Sequence, residues 1–440
     1  MPPRGLPADD VLAAMRDAAS DDADWRGGRT FSLVYHAGDD HSALLRDAYA
    51  MFMAENGLSP GAFPSLRRFE ADVVRWTATM LGGDENAAGT MTSGGTESIL
   101  MAVKTARDWA RAEKPDVAEP EMVLPVTAHP AFDKAAHYLC VKPVKVPVRD
   151  DFRADVDAVR AAVGRATVLV VGSAPAYPHG VVDPIAEMAA IAAERGSLFH
   201  TDACLGGFLL PWLRRLGHPI PAFGLDVPGV TSVSADVHKY GFAAKGASTV
   251  IYRDAALRKH QFFATVDWPG GLYGSPSMTG TRPGGGIAAA WAAMVRLGEE
   301  GYLDLARRIA ATAQRLKDGV AAVPGLKVLG TPPASVFAFG SDTFDVQVVG
   351  DVMADRGWHL DRQQLPSSLH CMVTPAHEPV ADAFLADLRA AAEVAAAGPP
   401  PDGVSGMAAI YGMLGTVPDR GFAKDIVIDF LGQMLEVERS

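Results

Sequence analysis

The residues that could do chemistry are concentrated in five short stretches. The first is SVSADVHKYGFAAKG (232–246), in which a β-like run ends at Asp236 and His238-Lys239 follow in the loop. In open α/β sheets, ligands collect outside the carboxyl ends of the strands. A lysine there can be desolvated, which favours the neutral amine that a Schiff base with an aldehyde requires. The same tetrapeptide also reads as a surface lysine after a strand. Lys245 adds a second cation that could hold an anion or lower the proton affinity of Lys239. The second stretch, MTSGGTES (91–98), runs into a helical pattern with Ile99, Ala102, Val103 and Ala106 on one face. Small residues before a helix let an anion approach bare N–H groups, and Thr96 and Ser98 could add hydroxyl donors. The P-loop spacing is absent, and a plain capped helix start is the competing reading.

The third stretch is LFHTDACLGGF (198–208), where Asp202 ends an apolar strand. A buried carboxylate there needs a partner, and the protonated ring nitrogen of a cofactor is one. A structural Asp, or His200 with Asp202 as metal ligands, are the alternatives; no well-spaced third ligand supports a metal. The fourth, TAHPAFDKAAHY (127–138), puts His129 after a strand and before a helix, where it could stack on a flat ring or be structural. The fifth, YGSPSMTGTRPGGG (273–286), is too glycine-rich for a core and suits close backbone approach, a turn or a subunit contact. An anion-holding helix start, a stacking histidine, a strand-end aspartate and a strand-end lysine are what pyridoxal 5'-phosphate asks for.

The elements that must position these groups follow from periodicity. Residues 121–126, 144–148, 167–172, 198–202, 230–235 and 248–252 read as short, Val-rich buried strands. Helical stretches alternate with them. One is predicted to start at Asp183-Pro184, with Asp183 as N-cap and Ile185, Met188, Ala189 and Ala192 inward. The alternation predicts an α/β fold with a mostly parallel sheet covered on both faces. A helix near 302–322 carries Leu305, Ala306, Ile309, Ala313, Leu316 and Val320 at helical spacing, a packing stripe. The expected units are an N-terminal segment (1–80) contributing to dimer and active site, a large cofactor-binding domain (81–300) and a small C-terminal α/β domain (301–440).

Composition bounds the function. The 440 residues are 48% hydrophobic and 21% charged, ordinary for a folded chain. A net charge of −12 argues against nucleic acid as a partner. Cys140, Cys204 and Cys371 are too few and too scattered for a disulfide framework or a cysteine-built zinc site. Neither a signal peptide nor a transmembrane run is evident, so a cytoplasmic setting is expected.

The chain resembles the sphingosine-1-phosphate lyases, within the group II pyridoxal-phosphate-dependent decarboxylase family. The stretches FPSLRRFEADVVR (63–75), MTSGGTESILMAVKTARD (91–108), PHGVVDP (178–184), HTDACLGGFLL (200–210), SADVHKYGFAAKG (234–246), SPSMTGTRPGG (275–285) and AIYGM (409–413) carry the likeness. SGGTES and HKYG belong to the wider lineage; GTRPGG and AIYGM resemble the lyase branch. The resemblance implies a fold-type-I enzyme with a seven-stranded sheet and a homodimer with shared sites. It implies Lys239 as the cofactor lysine, Asp202 on the pyridine nitrogen and His129 on the ring. It implies Gly95, Thr96 and His238 on the cofactor phosphate, with Thr281 from the partner chain. Tyr35, Tyr177, Lys245 and Tyr411 match positions on the substrate side, and Lys245, Tyr177 and Tyr411 are the candidate acid/base groups. The implied reaction cleaves the C2–C3 bond of a phosphorylated sphingoid base to ethanolamine phosphate and a long-chain aldehyde. Membrane-bound members carry an N-terminal anchor that is not evident in this sequence, so a lipid substrate is expected to arrive from solution or by transient contact with a membrane surface. An amino acid decarboxylase on the same scaffold and a non-catalytic pyridoxal-binding protein are the alternatives.

Overall fold

The computed structural model describes residues 3–20, 22–398 and 420–435. Its large sheet has seven strands: β1 (Ala88–Thr92), β2 (Glu121–Pro125), β3 (Lys142–Val146), β4 (Thr167–Ser173), β5 (Leu198–Asp202), β6 (Ser232–Ala235) and β7 (Ser248–Tyr252). Their order is β1-β7-β6-β5-β4-β2-β3. Only β7 runs antiparallel to its neighbours, β1 and β6. The reason lies in the connections. Helices join β1 to β2, β2 to β3, β3 to β4 and β4 to β5, and such crossovers return the chain for a parallel strand. Between β6 and β7 there is only the turn-rich loop 236–247, which returns the chain directly. That loop carries Lys239. The carboxyl ends of β1, β5 and β6 and the start of β7 therefore share one edge of the sheet.

Six of these strands overlap the predicted runs, but β3 starts two residues earlier than predicted and, at the sheet edge, buries only Val146. The edge strand β1 escaped it, because AGTMT lacks the Val-rich run that marks the others. Strand β4 is buried along its whole length, which is why its VLVV reads as a continuous apolar run.

Two expectations about helices change. The packing stripe belongs to a longer helix, Gly284–Ala321, interrupted at Gly298, whose φ of 56° no helix adopts. The residues of the stripe are all buried. Asp183 does not cap the helix Ile185–Glu194. It is buried, and its two carboxylate oxygens accept from the Ala154 N–H (2.9 Å) and the Ser173 N–H (2.8 Å), tying the β3–β4 connection to the end of β4.

A hairpin, β8 (Phe263–Thr265) and β9 (Tyr273–Ser275), precedes the long helix. Beyond it, β10 (Leu326–Val328), β11 (Val336–Ser341), β12 (Asp361–Gln364) and β13 (Ser367–Met372) form an antiparallel sheet of order β10-β11-β13-β12. Helices Val346–Asp355 and Ala381–Ala396 share its core. The N-terminal segment enters this core. Phe31 is fully buried there, stacked on His377 at 4.0 Å, and its N–H donates to the His359 carbonyl. No helix among the described residues is long and apolar enough to cross a membrane.

Asp183→Ala would strand two buried N–H donors. It should lower unfolding stability by about 2–5 kcal/mol in urea titration. A loss below about 1 kcal/mol would contradict the bridging role.

Candidate active site

The shared sheet edge opens into a cavity of about 400 Å³. Its lining includes Ser93, Gly94, Gly95, Thr96, His129, Tyr177, Asp202, Cys204, Asp236, His238 and Lys239. Residues from Ser93 to Lys239 thus meet because they stand at or just past strand ends. That volume is in the range of sites for small ligands and cofactors.

Lys239 Nζ lies 2.9 Å from Asp236 Oδ2, and a quarter (25%) of the lysine side chain is open. Burial lowers the proton affinity of Lys239, but the Asp236 carboxylate outweighs it and the amine's pKa is raised. This corrects the sequence expectation of a neutral amine. With Asp236 beside it, Lys239 is an ammonium. On Asp236, burial pulls the pKa up, and the charges of Lys239 and His238 with the Ser248 hydroxyl pull it further down, so it is ionised.

Asp236 is held from behind. Ser248 Oγ donates to its Oδ1 at 2.5 Å, Ser98 and Ser248 hydroxyls pair at 2.8 Å, and Thr92 and Ser98 hydroxyls at 2.6 Å. Ser98 is therefore engaged in a buried hydroxyl chain and not, as the sequence suggested, a donor to an anion.

The helix Gly95–Glu113 starts at the cavity with no side-chain cap. Glu97 instead accepts from the Ser93 N–H (2.6 Å) and hydroxyl (2.7 Å) and from the Met278 N–H (2.9 Å), fixing the glycine turn against the loop after β9. Thr96 is exposed at this helix start. A Cβ on Gly95 would stand 2.8 Å from Asp236 Oδ2 and 2.9 Å from Cys204 Sγ. His238 lies alongside: the site of a Gly94 Cβ is 3.5 Å from its Cε1. Bare glycines, a helix N-terminus, a hydroxyl and a histidine suit a phosphate group.

Asp202 Oδ1 accepts from the Cys204 N–H (3.1 Å) and the Ser234 hydroxyl (3.3 Å). His200 is fully buried between the Ser232 and Ser234 hydroxyls (2.9 and 3.1 Å), and burial lowers its pKa to about 4. Both of its ring nitrogens are engaged by these two hydroxyls. His129 Nδ1 accepts from the Ala131 N–H at 3.1 Å, and burial lowers its pKa, so the ring is neutral.

Two substrate-side candidates, Tyr35 and Lys245, line a neighbouring cavity of about 470 Å³ that shares His238 with this one. Lys245 Nζ donates to the Leu33 carbonyl (2.6 Å) and lies 5.2 Å from the Tyr35 ring centroid. Burial and the charge of Lys239 lower the Lys245 pKa. Tyr35 donates to Met372 Sδ at 3.2 Å and packs edge-on to Tyr240. Tyr177 is gripped by the small domain. Its hydroxyl donates to Asp361 Oδ2 at 2.7 Å, and its ring stacks on His370 at 4.4 Å. His370 Nε2 donates to the Tyr177 carbonyl at 2.9 Å. Thr281 is exposed and, within one chain, is not among the residues lining this cavity; its hydroxyl accepts from Asn56 Nδ2 at 3.5 Å. Tyr411 lies outside the described residues.

Sequence reasoning gave no role to Asp236, Glu97, Asp361 or His370. Asp236 was within the quoted motif, three residues before the lysine; Asp361 and His370 belong to another domain and had no local signal.

A model of the pyridoxal-dependent decarboxylase conserved domain matches residues 23–330. Sphingosine-1-phosphate lyase of Arabidopsis thaliana is 47% identical over 98% of this chain and 80% of that protein. Sphingosine-1-phosphate lyase 1 of Rattus norvegicus is 42% identical over 100% of this chain and 77% of that protein. A solved sphingosine-1-phosphate lyase of Burkholderia pseudomallei superposes with a TM-score of 0.87 at 44% identity, covering 90% of this chain and 93% of that one. Glutamate decarboxylase of Lactobacillus brevis, at 19% identity and a TM-score of 0.79, covers 90% of this chain and 95% of that one and shares the fold.

Gly95→Ala places a methyl group against Asp236 and Cys204. It should weaken pyridoxal phosphate binding about tenfold or more, read by equilibrium titration of cofactor absorbance. Unchanged affinity would refute the bare-glycine requirement. Asp236→Asn removes the charge that raises the Lys239 pKa while burial, which lowers it, remains. Cofactor loading needs the neutral amine, so it rises with pH. Its half-maximum should fall by about one pH unit or more in the variant, and an unmoved profile would contradict the ion-pair account.

Proposed function

The chain belongs to the pyridoxal-dependent decarboxylase family and, within it, to the sphingosine-1-phosphate lyases, and we propose that it cleaves phosphorylated sphingoid bases between C2 and C3. Its cofactor is pyridoxal 5'-phosphate. The observation that carries the reading is the joint placement of Lys239, Asp202, His129 and the bare helix start around one cavity.

When bound, pyridoxal phosphate supplies an aldehyde for amine attachment and a ring that draws electrons from the adjacent carbon. Lys239 is the residue that would attach it. Asp202 remains an acceptor fixed by Cys204 and Ser234, suited to keep a proton on the ring nitrogen. The neutral His129 would cover the ring, and Gly95, Thr96 and His238 would hold the phosphate. Lys245 and Tyr35 serve the substrate side, as does Tyr411. Cleavage requires that a base take the C3 hydroxyl proton and that an acid later protonate C2; Lys245, Tyr177 and Tyr411 are the candidates. The products are ethanolamine phosphate and an aldehyde. We assign the working unit as a homodimer in which the partner's GTRPGG loop brings Thr281 to the site, and we place it in the cytoplasm, in keeping with the free thiols of Cys140, Cys204 and Cys371.

Purified protein with pyridoxal phosphate and dihydrosphingosine 1-phosphate should release equal amounts of hexadecanal and ethanolamine phosphate by mass spectrometry. Lys239→Ala should release neither. No cleavage, with carbon dioxide released from an amino acid, would replace the lyase reading by a decarboxylase.

A further inference from the structure

Tyr177 and Asp361 come from different domains and meet at the cavity. Tyr177 lies in the loop after β4, and Asp361 opens β12, an edge strand of the small sheet. The Tyr177 hydroxyl donates to Asp361 Oδ2 at 2.7 Å. The surrounding contacts hold the pair in place. His370, the cross-strand partner of Asp361, stacks on the Tyr177 ring and binds its carbonyl. Gln363, two residues along β12, donates to the Pro178 carbonyl at 2.8 Å. Three residues of β12 and β13 thus fix one tyrosine of the cavity lining.

We infer that Asp361 is the positioning residue that commits Tyr177 to accept a proton from the substrate, making the pair the base of the cleavage step. The inference rests on the lyase reading above. With its own proton given to Asp361, the Tyr177 oxygen acts toward the cavity as an acceptor. As the C3–O–H bond breaks, the proton passes to the Tyr177 oxygen and the proton already there passes to Asp361 Oδ2. The C3 oxygen becomes the aldehyde oxygen as the C2–C3 electron pair leaves with the C2 fragment. Tyr177 ends unchanged and Asp361 ends protonated. Asp361 Oδ1 lies 3.9 Å from Nε2 of His359, whose side chain is half exposed (51%), so the proton has a short route to solvent. The groups facing Asp361 are Tyr177, Tyr35, His359, His370 and Cys371.

The test is a double-substitution cycle of Tyr177→Phe and Asp361→Asn in the cofactor-loaded protein. Asn keeps the shape and an acceptor but takes no proton. Each single change should lower kcat at least tenfold while KM and cofactor content stay within about twofold, and the double variant should be no slower than the slower single. Losses that multiply in the double variant, or Asp361→Asn within twofold of wild type, would overturn the inference. The same cycle read by thermal unfolding of the cofactor-free protein is independent of turnover: shifts should be non-additive, and additive shifts would overturn the pairing. Cleavage by the wild type separates the two readings. If the wild type cleaves and the variants do so equally, the pair falls and the lyase stands. If the wild type does not cleave, both fall.

Discussion

An ammonium and a carboxylate 2.9 Å apart, Lys239 and Asp236, set the terms for everything around them. Neither could be buried alone without a large desolvation cost. Asp236 is almost fully buried, so its second oxygen must also be satisfied, and Ser248 does this from the start of β7. Ser248 in turn leans on Ser98 and Thr92, which reach back to the cofactor helix and to β1. One ion pair thereby links the lysine loop, the glycine turn before the helix Gly95–Glu113 and two neighbouring strands. Gly95 must be bare because Asp236 and Cys204 already fill the space beside it. The pair also keeps the amine in its charged form.

Topology explains why this assembly can be open to ligand. The strands that carry Asp202 and Asp236 end in parallel beside each other, and β1 delivers the glycine turn to the same edge. The β6–β7 loop has no helix to bury it, so it remains at the edge with Lys239. The small antiparallel sheet then braces this edge from behind. Its strands β12 and β13 hold Tyr177, and Val373 beyond β13 accepts from the Tyr240 hydroxyl, one residue from the lysine, at 3.0 Å. Chemistry at the large-domain edge is consequently sensitive to how the small domain is seated.

What the sequence disclosed follows from where the signals are local. The large-sheet strands except β1 were legible because buried parallel strands are short apolar runs, and Asp202 and Lys239 were legible because they end or follow such runs. Asp183 was misread because Asp-Pro is a strong local helix-start signal, while its actual partners, Ala154 and Ser173, are tertiary. The charge state of Lys239 was misread for a similar reason. Position predicted desolvation, but the geometry of a tight turn brings Asp236 onto the amine. Asp361 and His370 were invisible because their partner, Tyr177, is in a different domain and no spacing rule connects them.

The most direct test of the account is to load the protein with pyridoxal phosphate, reduce it with borohydride and map the modified peptide by mass spectrometry. The account predicts a single phosphopyridoxyl group on Lys239. Modification at Lys245 instead, or no stable adduct in protein that retains the cofactor, would contradict it.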